Sequence, residues 1–397
     1  MLIHPKRAAV LRGPVAAGSF GRAGAELTPG PCIARTGNFT AKLLAGTAIE
    51  VAGQLVRFDQ DKAIGMPGAP VAGTDYAVWV SQAGDVVASS NFSAAPGCGN
   101  WRRVGGFHYA PGGNAPAAAG GDDTPQINPY SIWDVAWRPA CRDPRGMTLV
   151  AGGFWSDIYL CGVDHHVNGT SVHGVTIADH GNPPKVPAMF GGNGTTTYGN
   201  GNWWSFAELL ASHGKRLPTY GEFAALAYGT TEGMANGVDP VTTQLIKKFT
   251  SKWGVMQASG CMLVWGDEFS YRSDGGTDGW AFRASTLGRG SLYLYNATGL
   301  VAALFGGAWS HGADAGSRCS DWSHMPWDTD TYIGARGVSE DDQSGFAVLR
   351  RGHGPAGRPA YLWSAVLSCF GKYPWGSGRA PSSRRVAVNG AASMCHA

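Results

Sequence analysis

The sequence predicts an α+β chain, with a compact C-terminal domain of few strands and long loops behind a smaller β-rich domain. Three observations predict it. Short apolar runs separated by turn residues fill the first third, two helix-length patterns with end signals sit in the middle, and Gly-rich loops join short apolar runs beyond them. The composition agrees: of 397 residues 60 are Gly and 15 are Trp, with 15% charged and 44% hydrophobic. That balance is too apolar for disorder and implies long loops held by large aromatic anchors.

Residues 1–35 are rich in Gly, Ala and Pro and show no period. Residues 36–112 read as a β-rich intermediate domain. Ile49-Glu50-Val51 and Leu55-Val56-Arg57-Phe58 are short strands, and Asp75 to Val80 alternates polar and apolar types. Ala83-Gly84-Asp85 is turn chemistry ahead of Val86-Val87-Ala88, and Val104 to Tyr109 closes the region. A linker is expected at 113–126, within the Pro/Gly/Ala-rich run from Ala110 to Gln126. Residues 127–338 form the second domain. Its first helix is expected over Trp203–His213, with Phe206, Leu209 and Leu210 on one face and Gly214 as the stop. A second is expected over Tyr220–Tyr228, where Thr219 and Glu222 have the spacing of a capping box. Gly260 to Trp265, Leu292 to Tyr295 and Ala302 to Phe305 are strand candidates. Residues 339–397 are read as a poorly ordered basic extension.

Charge is uneven along the chain. Beyond Phe346 lie seven basic residues and no acidic one, although the whole chain carries 31 basic and 28 acidic residues, so the body is mildly acidic. A basic tail without a motif does not make a nucleic-acid arm. The eight cysteines include no CxxC pair and no metal-ligand spacing, so isolated buried thiols are expected, with pairing of Cys141 and Cys161 left open. No apolar run reaches membrane-spanning length and none resembles a signal peptide. A soluble protein without its own export signal is therefore expected. Any role outside the cell would require assembly into a particle released by lysis.

Arg216-Leu217-Pro218-Thr219-Tyr220-Gly221-Glu222-Phe223 resembles the RLPT-x-x-E-[WF] signature of the formylglycine-generating, or sulfatase-modifying-factor, branch of C-type lectin folds. A second mark follows in order: Leu304-Phe305-Gly306-Gly307-Ala308-Trp309 and then Ile333-Gly334-Ala335-Arg336-Gly337-Val338. Within that branch, Ala302 to Val338 resembles the variable segment of the phage major tropism determinants, whose template codons a retroelement mutates at adenines. The resemblance implies a C-type-lectin-like domain at the tip of a phage tail fibre, a homotrimer joined to tail proteins, with a diversified face for a bacterial surface receptor, protein or glycan. It implies neither membrane insertion nor nucleic-acid binding, and it makes residues 1–35 a remnant of fibre attachment or a linker. The same fold serves surface-displayed variable adhesins, which is the alternative reading.

Position by position, the resemblance makes Ala308, Ser310, His311, Gly312, Asp314, Asp321, Ser323, His324, Asp328, Asp330, Tyr332 and Ile333 the diversified receptor-binding set. Small polar residues and aromatics suit an adaptable face. The residues between them would be fixed scaffold: Trp309 and Trp322 as packing anchors, Arg318 and Arg336 as braces bonded to carbonyls.

No catalytic residue is expected. The oxidase of this branch holds copper between two thiols, and the matching positions here are His311 and Gly316, which cannot make that site. Asp164-His165-His166, His173 and Asp179-His180 lack metal-ligand spacing and read as solvated or hydrogen-bonded histidines. No cofactor is expected beyond structural calcium at Asp267-Glu268 or along Asp274 to Gly279.

Overall fold

Thr74–Ser81 and Trp101–Ala110 pair antiparallel and form the centre of a five-stranded sheet, flanked by Val86–Ser89 on one side and Gln126–Ile127 on the other. Gly84 makes the hairpin turn between the first of these strands and Val86–Ser89 with φ +89°, a left-handed conformation that favours glycine. Two three-stranded sheets lie with it. One joins Phe20–Arg22, Thr47–Val51 and Gln54–Phe58, and the other joins Ile33–Gly37, Thr40–Leu43 and Lys62–Ala63. Their inward residues share one core, which includes Ile33, Leu43, Ile49, Val78, Val104 and Phe107. Every strand read from the first third of the sequence is present.

The computed structural model describes residues 20–22, 30–272, 281–283, 287–294 and 299–342. Most of the N-terminal segment and nearly all of the basic extension lie outside the described residues, as do Tyr295 and the calcium candidate Asp274 to Gly279.

Residues 113–126, expected to be a linker, are more tightly built into the fold than their composition implies. Gly121 donates its amide to Lys247 O, Ala115 to Ser251 O, and Gly113 to the Asp122 carboxylate. Gln126–Ile127 and Trp133–Asp134 then return to pair with Trp101–Ala110, so the first sheet takes its last strands from beyond the junction. At the other end, Ser339–Asp342 continues the strand Val338–Asp342, which pairs with Phe154–Asp157 and Arg138–Pro139. The fold therefore extends past Val338. Its acidic composition disguises a strand whose pairing is made by backbone.

The C-terminal part of the described residues is organised by a six-stranded sheet in the order Ala281–Arg283, Leu292–Leu294, Ser320–Trp322, Gly299–Phe305, Leu263–Arg272, Ile333–Gly334. Both expected α-helices occur where the sequence places them, but the described residues are mostly β-sheet, so the architecture is a β-rich one carrying two helices rather than a balanced α+β fold. Helix α1 (Trp203–Ala211) starts at Asn202, whose side chain accepts the Ser205 amide, and Gly214 follows its end at φ +74°. Phe206, Leu209 and Leu210 are fully buried, each contributing about 1.5–3 kcal/mol relative to exposure. Helix α2 (Tyr220–Leu226) carries the expected capping box, with Thr219 Oγ1 accepting from the Glu222 amide and the Glu222 carboxylate accepting from Thr219 N–H. Glu268 adds a further cap by accepting the Tyr220 amide at 2.6 Å, which commits one oxygen of a residue considered for calcium.

Candidate functional site

The glycine pair after the strand Gly299–Phe305 sets the site. Gly306 has φ +89° and a Cβ there would lie 2.7 Å from the Phe223 ring; Gly307 has φ +80° and would strike Ala315 at 2.6 Å. Both close approach and left-handed backbone exclude other residues, so the chain leaves the sheet sharply and enters the loop bearing Ala308 to Asp314. It returns through Ser320–Trp322 and passes along Ser323 to Tyr332 before Ile333–Gly334 rejoins the sheet, parallel to Leu263–Val264.

Nine of the twelve expected residues have at least part of their surface in solvent: Ser310 and Gly312 are exposed, and His311, Asp314, Ser323, His324, Asp328, Asp330 and Tyr332 are half-buried. Tyr332 ties the two loops together. Its ring lies edge-on to Trp309 with centroids 6.2 Å apart and edge-on to His324 at 6.4 Å. Ser323 Oγ is 3.0 Å from His324 Nδ1, and Asp321 Oδ1 accepts the Ser323 amide at 2.9 Å while lying 3.8 Å from the same His324 nitrogen. Asp328 accepts the Met325 amide, and Asp330 accepts the Thr331 amide.

Three of the twelve do not present themselves to solvent. Ala308 and Ile333 are at 0% exposure within a core cluster with Leu263, Trp265 and Leu304, and Asp321 is at 5%. Ala308 and Ile333 are therefore corrected from face to core. Their small or apolar side chains point inward at the two places where the loops meet the sheet. Asp321 acts through the amide and imidazole it orients.

Electrostatically the face is acidic, with Asp314, Asp321, Asp328 and Asp330 around two imidazoles. Burial pushes the Tyr332 phenol up to about 12, reinforced by Asp330, so it stays protonated and able to donate. Burial also lowers His311 below its ordinary value, against the opposite pull of Asp321 and Asp314, and keeps it neutral at pH 7.

The scaffold residues divide. Arg336 is completely buried and donates to four carbonyls: Asp157 O at 2.8 Å, Ile158 O at 2.7 Å, Met256 O at 2.7 Å and Gln257 O at 3.3 Å. It thereby holds these segments together through its side chain. Arg318 does not: its side chain is exposed and among the described residues makes no hydrogen bond, the bracing there passing through its backbone. Trp309 and Trp322 are half-buried and pack against the core from its rim.

Other groupings are structural. Arg216 of the RLPT signature bonds Glu222 through two nitrogens and reaches Glu340 at 2.6 Å. Burial opposes the Glu222 charge, but Arg216 outweighs it and holds the carboxyl below its ordinary value. The histidine-rich segment disperses. Asp164 pairs with Lys185, His173 packs edge-on to Tyr159, and Asp179 accepts the Asn182 amide. His165 departs from the hydrogen-bonded reading, because both its ring nitrogens are buried without a partner. Its nearest candidate co-ligands, Asp157 and Cys161, have donor atoms within 4.8 Å, yet the Asp157 carboxylate is already engaged by the Lys215 ammonium and the Gly337 amide. Cys141 and Cys161 are both buried and form no disulfide with each other. Burial raises the Cys319 thiol to about 12, which denies it thiolate character. Sequence reasoning missed that Glu232, Ser291 and Tyr220 hold the first loop from outside, because their partners lie 85, 23 and 98 residues away.

Residues 31–134 match the family described as Mtd second domain. The chain is 52% identical over 318 residues to the tail fiber receptor-binding protein of Bordetella phage BPP-1, covering 77% of this chain and 81% of that one. Among solved structures it is similar to the Major Tropism Determinant U1 variant, with TM-score 0.72, 49% identity, and coverage of 82% of this chain and 86% of the other. The M1 variant gives TM-score 0.72 and 50% identity over 81% of this chain and 85% of its own.

Proposed function

The chain belongs to the family of phage major tropism determinants, and we propose from that premise that it is the tail-fibre receptor-binding protein that sets host tropism through the face around Tyr332. It acts in the virion tail, as a host-binding component rather than an enzyme. The observation that carries this reading is the convergence of two loops on one exposed, polar and aromatic surface whose backbone is fixed by buried groups. Ser310, His311, Gly312, Asp314, Ser323, His324, Asp328, Asp330 and Tyr332 supply contact groups, while Arg336 and the glycine pair hold the platform. Side chains on such a face can be exchanged without disturbing the core, which is what a retroelement-diversified surface requires. The receptor is a bacterial surface protein or glycan.

Binding strength arises from repetition. In the proposed homotrimer several faces engage one cell surface, so weak individual contacts gain orders of magnitude together. Sedimentation of the full chain tests the trimer. The face itself is tested by whole-cell binding of variants at Ser310, His324 and Tyr332: binding to susceptible cells should change while melting stays close to the parent. Unchanged binding across all three would remove the face as the receptor site.

A further inference from the structure

We propose that Glu232, outside the diversified set, is a positioning residue that fixes the first face loop whatever side chains that loop carries; the inference rests on the reading of the face given above. The loop bearing Ser310, His311, Gly312 and Asp314 contains only the 3-10 turn Gly312–Asp314. Its order must come from elsewhere. Glu232 Oε2 accepts the Ser317 amide at 2.8 Å and Oε1 accepts the Ser317 hydroxyl at 2.6 Å, so both carboxylate oxygens clasp one residue 85 positions away. Hydrogen bonds to an ionised acceptor are about twice as strong as neutral ones.

Gly316 makes the approach feasible, since a Cβ there would lie 2.7 Å from Glu232 Oε2 and 2.5 Å from Arg289 O. The neighbouring residue is held as well: Arg289 O accepts the Arg318 amide at 2.8 Å, and the Tyr220 hydroxyl donates to Arg318 O at 3.1 Å. The clasp grips Ser317 by its backbone and hydroxyl and, among the described residues, hydrogen-bonds to no face side chain. Its effect is therefore uniform over face sequences, whereas a face residue acts on one receptor at a time.

The test uses the full chain. Libraries randomised at Ser310, His311, His324 and Tyr332 are selected on immobilised lysozyme as the probe, and Glu232→Ala is introduced into several unrelated binders. Each binder should weaken by about tenfold, the loss expected for one charge-assisted hydrogen bond. The Ser317 amide should exchange its hydrogen about tenfold faster, with exchange in the strand Leu263–Arg272 unchanged. Glu232→Gln should restore most of both, because its carbonyl takes the amide and its NH2 donates to the hydroxyl. Binders indifferent to Glu232→Ala, or unaltered Ser317 exchange, overturn the inference alone. Failure to select any binder overturns the face reading and the inference with it.

Discussion

The guanidinium of Arg336 donates to the main-chain oxygen of Asp157 at 2.8 Å across 179 residues of sequence. One buried side chain thus joins the strand Phe154–Asp157 to the segment after Ile333–Gly334, and also holds Met256 and Gln257. Arg336→Lys keeps the charge but has no planar fork, leaving carbonyls unpaired. It should cost about 3 kcal/mol or more, measured as a drop in the urea midpoint.

Tyr332→Ala and His324→Ala remove half-buried groups from the face. Each should change stability by less than about 1 kcal/mol while altering which cells are bound. Thermal melting beside whole-cell binding reads both; a lost melting transition would place these residues in the core instead.

Trp265 and Trp309 should behave differently. Trp265 is fully buried, so Trp265→Ala should destabilise by about 3–5 kcal/mol. Trp309 sits at the rim against Tyr332, and Trp309→Ala should cost about 1–2 kcal/mol because less area leaves water. Equal losses in denaturant titrations would contradict the rim position.

Much of this division was readable in the sequence. The helices, the capping box, the glycine pair and the bracing role of Arg336 followed from local spacing or from the family pattern those residues carry. What escaped was set at a distance. Ala308 and Ile333 are small or apolar types that suit a face and a core equally, and only the sheet beneath them decides. Arg318 looked like a second brace, but its exposed side chain points away and its backbone alone is held, through Arg289 O and the Tyr220 hydroxyl. Glu232 carried no motif because its partner lies 85 residues away. The return of Gln126–Ile127 to the first sheet was hidden by the Pro/Gly-rich run before it.

Acid should weaken the fold through His165. Burial, with Lys215 and His213 beside it, lowers this imidazole well below its ordinary 6.5. Below 6.5 the unfolded chain takes up the proton more readily than the folded one, so stability is present above that value and is lost as pH falls. Asp157, raised by burial, works in the opposite sense nearer the carboxylate range. The melting temperature should therefore decline from about pH 7 to about pH 5.5. His165→Leu should flatten that decline, and an unchanged slope would assign it to other groups.

The clasp of Arg336 on carbonyls near residue 157 also has a consequence for synthesis. The first β-rich core draws on residues 32–132 and can consolidate while translation continues. The second cannot close until its arginine has emerged, and at about 5–20 residues per second the intervening chain takes roughly ten to forty seconds to make. Through that interval the aromatic-rich nascent segment has no lock, and a chaperone or a slow codon would have its greatest influence there.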